Sequence, residues 1–299
     1  MPIIASRGAG SGKGFGMTAG APSYMDATGG TIYDTGTYRI HLFTGPGSLI
    51  VSKIPDPAFA TADYLVIGGA GGVAPSGRGT AAGGYRESAP SGGVWVSAPM
   101  ANTTGTPSPT GTQTLTATTY PITVGSKGAP QPSQNTQGNP GTASTFSNIT
   151  SAGGGGSGVG HYTVPVKSAP GLPGGCGGSG GGYPPNTGAG GGTGNTPPTT
   201  PPQGQNGAWN GGGGALSAAD SSGTATSGQG AGTEFAGGFP NFGVPGPSAP
   251  LRYNAGGNGQ GGSGDGSSNY PDGTTGPEFS YGSSASPGDG AVLIRYQYA

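Results

Sequence analysis

The stretch DYLVIGGAGGVA, Asp63–Ala74, carries Gly69, Gly71 and Ala74 at the G-x-G-x-x-A spacing of a dinucleotide-binding turn. Glu87 follows where a ribose-binding acid would stand. That chemistry needs a helix directly after the glycines, because the pyrophosphate rests on the N–H groups of a helix start. Pro75, Gly77, Gly79, Gly83, Gly84 and Pro90 leave no helix of useful length. GAGSGKG, Gly8–Gly14, imitates a phosphate loop, but Arg7 stands where its first glycine belongs and Gly14 where Ser or Thr is required. His41, His161 and Cys176 have the side chains for soft-metal or nucleophile chemistry, and they are far apart in the chain. Cys176 sits in GGCGG with no neighbouring cation to activate it. Glu234, Asp265, Asp272 and Glu278 could supply the two carboxylates of a glycosidase. Nothing in their spacing pairs two of them, and acids spread this thinly belong on any solvated surface. The sequence therefore predicts no enzyme, no cofactor and no metal.

Binding chemistry has better candidates. YPPN, GAWN, GGFPNF and LRYN place Tyr183, Trp209, Phe239 and Tyr253 beside an amide or a proline. Aromatics held on rigid loops stack on sugar faces with little entropy loss. The competing reading is that they pack on the glycine runs around them.

Those runs dominate the chain. With 72 Gly and 30 Pro in 299 residues, about a third is one or the other, against roughly 7% and 5% in ordinary proteins. Neither residue is favoured inside helices, and no stretch keeps helical periodicity over three turns, so essentially no α-helix is expected. Collagen is excluded because glycine does not recur at every third position. A disordered chain is the plain alternative. Against it stand the very low charge, 7%, the 13 Tyr, 8 Phe and 2 Trp, and strand signals at both ends. A net charge of −1 gives no field for nucleic acid or an anionic membrane. No apolar run is long enough to span a bilayer, and the first residues lack the apolar core of a secretory signal.

Strands are expected at TYRIHLF, SLIVSK, ADYLVI, VWVS, YPITV and STFSNIT, with Pro121 favouring an edge position for its strand. After the GDG turn, AVLIRYQY reads as a strand that pairs beside the early ones. Residues 1–30 form a docking segment through Ile3, Ile4, Arg7, Lys13 and Phe15; 31–150 a β-rich base; 151–289 a glycine-rich lobe; and 290–299 the returning strand. The fold class is all-β or irregular, a small antiparallel β-sandwich-like base carrying an ordered lobe of polyproline II or polyglycine II type. Such a lobe replaces the missing apolar core with backbone hydrogen bonds between runs, which only a residue without Cβ lets approach closely.

TYRIHLFTGPG, DYLVIGGAGG, AAGGYRES, YPITVGSKG, GTASTFSNITSAGGGG and GDGAVLIRY, in that order, resemble the glycine-rich domain proteins of tailed bacteriophages, especially phages of marine bacteria and cyanobacteria. The resemblance covers about Thr31 to the C-terminus and implies a virion component. The expected roles are a tail fibre or related appendage, a receptor-binding adhesin for a host glycan or protein, or a capsid decoration protein. Implied partners are other virion proteins, further copies of itself and a host receptor, with no nucleic acid and no membrane insertion. Synthesis in the host cytoplasm without a signal peptide follows from that reading. An ice-binding lattice would want strict three-residue repeats, which the sequence lacks.

Overall fold

Two antiparallel sheets grow from the apolar runs, and glycine segments extend from their ends. The computed structural model describes residues 23–34, 36–74, 79–89, 111–132, 135–161, 167–181, 189–209, 211–215, 218–219, 231–232, 244–245, 251–253 and 288–299. In chain order the strands begin with β1 (Asp26–Thr28), β2 (Thr31–Asp34), β3 (Tyr38–Phe43), β4 (Gly47–Lys53), β5 (Thr61–Ile67) and β6 (Tyr85–Glu87). There follow β7 (Gln113–Thr114), β8 (Thr119–Thr123), β9 (Ser144–Phe146), β10 (Ile149–Ser151), β11 (Val159–His161) and β12 (Lys167–Ala169). The last are β13 (Ala231–Gly232), β14 (Val244–Pro245), β15 (Leu251–Tyr253) and β16 (Ala291–Gln297). One 3₁₀ turn, Pro57–Phe59, is the sole helical element among the described residues.

The first sheet runs β1-β4-β8-β9-β10 and the second β2-β3-β16-β5-β6, with β7 added to the start of β5. Side chains alternate across each strand, so one face of each sheet meets the other. Ala27, Leu49, Val51, Ile122, Phe146 and Ile149 from the first sheet pack against Phe43, Tyr64, Val66, Val292, Ile294 and Tyr296 from the second. The C-terminal strand β16 occupies the centre of the second sheet, antiparallel to both β3 and β5. The opposite face of that sheet is buried too, through Ile40, Leu65, Ile67 and Leu293.

Two strand expectations need correction. STFSNIT is a hairpin, β9 and β10, because Ser147 takes a φ of 54° and turns the chain within two residues. The strand holding Pro121 is interior, lying between β4 and β8's other neighbour β9. Proline is tolerated there because β9 pairs only with Ile122 and Thr123, so its ladder has ended before Pro121. VWVS lies outside the described residues.

Residues 68–72 leave β5 and hydrogen-bond in three directions. Gly68 and Gly71 donate to Gly84 and Ala81, Gly69 and Gly72 to Thr142 and Asn139, and Ala70 to Gly288. Donors three apart thus meet acceptors three apart on the same neighbour. The pattern continues outward. Gly138 and Gly141 donate to Ser157 and Gly154, Gly155 and Gly158 to Cys176 and Ser179, and Gly177 and Gly180 to Gln205 and Ala208. All these bonds are between 2.7 and 3.0 Å. A three-residue repeat with amides pointing outward is the geometry of polyproline II, whereas a β ladder repeats every two residues. Runs before residue 151 and runs after it share this array.

Glycine serves the array by lacking a side chain, not by its torsional freedom. The described glycines with positive φ are Gly29, Gly30, Gly36 and Gly111, all outside these runs. A Cβ on Gly155 would run into the carbonyl oxygen of Leu172, and one on Gly177 into that of Gly192.

Candidate functional site

The amides of Gly69–Ala74 show what the glycine turn does. Gly69, Ala70, Gly71 and Gly72 donate to Thr142, Gly288, Ala81 and Asn139. Ala74 donates to Ser157 Oγ at 2.7 Å. Donors engaged in this way cannot cradle a pyrophosphate. Glu87 is buried, and its Oε2 accepts from Tyr85 Oη at 2.8 Å instead of facing a ribose. GAGSGKG lies outside the described residues.

Of the four recognition candidates, the structure describes the surroundings of one. Trp209 is half-buried and forms an isolated parallel bridge with Gly180, so its backbone belongs to the array. Tyr253 lies on β15 opposite Ala231 of β13, in a three-stranded sheet with β14. Tyr183 and Phe239 lie outside the described residues. So do the docking candidates Ile3, Ile4, Arg7, Lys13 and Phe15, and the acids Glu234, Asp265, Asp272 and Glu278. His161 stands opposite Lys167 in the β11–β12 hairpin. Among the described residues, no three His, Cys, Asp or Glu stand together as metal ligands. None of the described helices is long and apolar enough to cross a membrane.

Cys176 fills a gap that glycine leaves. It is fully buried with Ala81 and Ala82, and its Sγ donates to Gly83 O at 3.1 Å. Burial pushes its thiol up to about 12, against the opposing pull of a hydrogen bond from the Gln205 backbone. At neutral pH the thiolate, the reactive form, is essentially absent.

Polar side chains tie the array to the sheets. Ser144 Oγ donates to Ile67 O at 2.5 Å and accepts from Gly125 N at 2.9 Å. Gln203 is buried and joins three segments. Its Oε1 accepts from Ala152 N at 2.8 Å, its Nε2 donates to Pro197 O at 2.7 Å, and its backbone O accepts from Tyr85 N at 2.7 Å. Asn195 Oδ1 accepts from Thr199 N, Thr199 Oγ1 and Gln203 N, holding the NTPPTTPPQ loop on itself. This loop presents Pro197, Pro198, Thr200 and Pro202 to solvent.

Sequence reasoning missed the titratable groups around β16. Arg295 and Asp63 are register partners on β16 and β5, both buried, with Nη2 3.5 Å from Oδ2. The Arg295 guanidinium lies 4.4 Å from the Tyr38 ring centroid. Ser88 Oγ donates to Asp63 Oδ1 at 3.1 Å and accepts from Tyr64 N at 3.0 Å. Burial raises the Asp63 carboxyl to about 7, opposed by the Arg295 charge and the Ser88 hydrogen bond. Burial likewise lowers Arg295 to about 10. On the other face, His41 is fully buried, its Nδ1 2.7 Å from Gly29 O and its Nε2 3.2 Å from Tyr296 Oη. A carbonyl only accepts, so Nδ1 carries the proton and Nε2 of the neutral ring accepts from Tyr296. Burial lowers the His41 pKa. The available signal was a single charge inside each apolar strand, Asp63 in ADYLVI and Arg295 in AVLIRYQY.

The sequence model of the glycine-rich domain family matches residues 44–297, and the chain belongs to that family. No curated protein and no solved structure matches it.

Proposed function

We propose that this member of the glycine-rich domain family is a non-enzymatic structural protein of a bacteriophage virion, a component of a tail fibre or related surface appendage. The observation that carries the proposal is the array itself. Its runs satisfy their amides on one another in three directions, a construction that extends a fixed shape outward from the sandwich with little apolar surface of its own. The motif order from Thr37 to Tyr296 supports the phage origin. In this reading residues 1–30 dock on other virion proteins, copies of the chain associate with one another, and the glycine-rich part projects outward.

Immunogold labelling of purified particles with antibody to the full chain tests the proposal. Label along the tail or its appendages is expected, and particles that never carry the protein overturn it. Deleting residues 1–22, the part of the docking segment that precedes β1 and the buried Met25 and Ala27, should release the chain from particles while leaving it folded; continued incorporation refutes the docking role. Alanine at Tyr183, Trp209, Phe239 and Tyr253 separates the structural reading from an adhesin. Unchanged adsorption is expected of a structural component, and lost adsorption with normal incorporation would mark a receptor-binding protein.

A further inference from the structure

Strand β16 lies between β3 and β5 and pairs with both, more than two hundred residues after β5 in the chain. Successive side chains of a strand point to opposite faces. Arg295 and Tyr296 therefore look to opposite sides, and each meets a buried titratable partner on a neighbouring strand. Tyr296 meets His41 of β3, and Arg295 meets Asp63 of β5. We propose that β16 is a proton-sensitive clasp, whose hold on the sheet is set in opposite directions by His41 on one face and Asp63 on the other.

The groups that face each partner are few among the described residues. Around His41 stand Gly29 O and Tyr296 Oη, with Arg39 and Asp34 further along the same face. Arg39 is itself held by Asp34 at 2.7 Å and covers the Tyr298 ring. Around Asp63 stand Arg295 from β16, Ser88 and Glu87 from the β6 segment, and Tyr38 from β3 against Arg295. Glu87 pushes the Asp63 carboxyl in the same direction as burial does.

The signs follow from linkage. Asp63 is raised in the folded chain, so its protonated form is favoured there. Its contribution is complete below the unfolded value near 4 and is lost as pH rises toward about 7. His41 is lowered in the folded chain, so its neutral form is favoured there. Its contribution is complete above the unfolded value near 6.5 and is lost as pH falls below it. Between about pH 4 and 7 the two slopes oppose each other.

The test is amide exchange of β16 in the full chain, expressed as protection factors from pH 4.5 to 7.5. Asp63→Asn mimics the protonated carboxyl and leaves the His41 slope, so β16 protection should rise with pH across this range. His41→Gln leaves the Asp63 slope, so protection should fall by about a hundredfold over the same range. The unaltered chain should lie between them, because its two slopes offset. The Asp34–Arg39 pair is present in all three and cancels from the comparison. Variants that keep the profile of the unaltered chain, or slopes of reversed sign, overturn the clasp. Should a variant fail to fold, NMR titration of His41 and Asp63 in the unaltered chain decides: ordinary values near 6.5 and 3.9 refute it, and displaced values support it.

Discussion

Gly155→Ala isolates the claim that glycine acts in the array through its missing side chain. The φ of Gly155 is not positive, so alanine meets no torsional penalty. Its Cβ would collide with Leu172 O and stand 2.7 Å from Gly178 N and 2.8 Å from Leu172 C. All are backbone atoms, so the two runs must move apart. Three bonds cross that spot: Gly155 N to Cys176 O at 2.9 Å, Leu172 N to Gly156 O at 3.0 Å, and Gly178 N to Leu172 O at 2.9 Å. At about 1 kcal/mol net for each bond, the loss is about 3 kcal/mol, and more where a buried group is left without a partner. A domain is stable by only about 5–15 kcal/mol, so the effect is large. Gly190 is the control. It belongs to the same glycine runs, has open space where its Cβ would stand and no positive φ. Gly190→Ala should be neutral or stabilise by about 0.4–1 kcal/mol through the unfolded chain. Denaturant unfolding followed by circular dichroism measures both. Equal effects of the two substitutions, or Gly155→Ala within about 0.5 kcal/mol of the parent, would refute the steric account.

Other outcomes follow from the contacts between the array and the sheets. Gln203→Ala removes two side-chain bonds and orphans the Ala152 amide, so a loss of about 2–4 kcal/mol is expected in the same unfolding assay. Ser144→Ala leaves Gly125 N without its acceptor at the junction with β5, and should cost about 1–3 kcal/mol. Cys176 should resist a thiol reagent such as DTNB at neutral pH in the folded chain and react promptly after denaturation, as burial holds its thiol up to about 12. Rapid labelling of the native chain would show that the Ala81–Ala82–Cys176 cluster is open.

The sandwich was readable where side chains announce it. Strands β3, β4, β5, β8 and β16 coincide with runs whose alternation or continuous apolarity needs only local physics. The β9–β10 hairpin escaped because Ser147 and Asn148 are not the Asn-Gly or Asp-Gly pair that announces a tight turn. The interior place of β8 escaped because the length of β9 decides whether Pro121 needs a donor, and that length is a tertiary property. In the array, composition pointed to the class of structure and said nothing of pairing. A glycine at 155 and one at 190 look the same in sequence, yet one faces Leu172 O and the other faces open space. Asp63 and Arg295 were legible as lone charges in apolar strands, but the register that makes them partners spans over two hundred residues.

The chain thus holds two kinds of interior, apolar in the sandwich and amide-bonded in the array, and they meet without a linker. Strand β5 continues directly into 68–72, and Gly290, just before β16, donates to Gly125 O at 2.7 Å. Ser144 Oγ bridges Ile67 and Gly125 at the same junction. The array alone has little apolar surface to offset the entropy of ordering glycine, so it should depend on the sandwich for its start. Leu49→Ala tests this, because Leu49 is fully buried on β4 in the sandwich cluster. Its truncation should cost about 2–5 kcal/mol. If the two interiors form one cooperative unit, amide protection at 153–158 should fall by the same free energy as protection in β5. Unchanged protection at 153–158 would mean that backbone bonding alone sustains the array, and the dependence argued from the shared junction would be wrong.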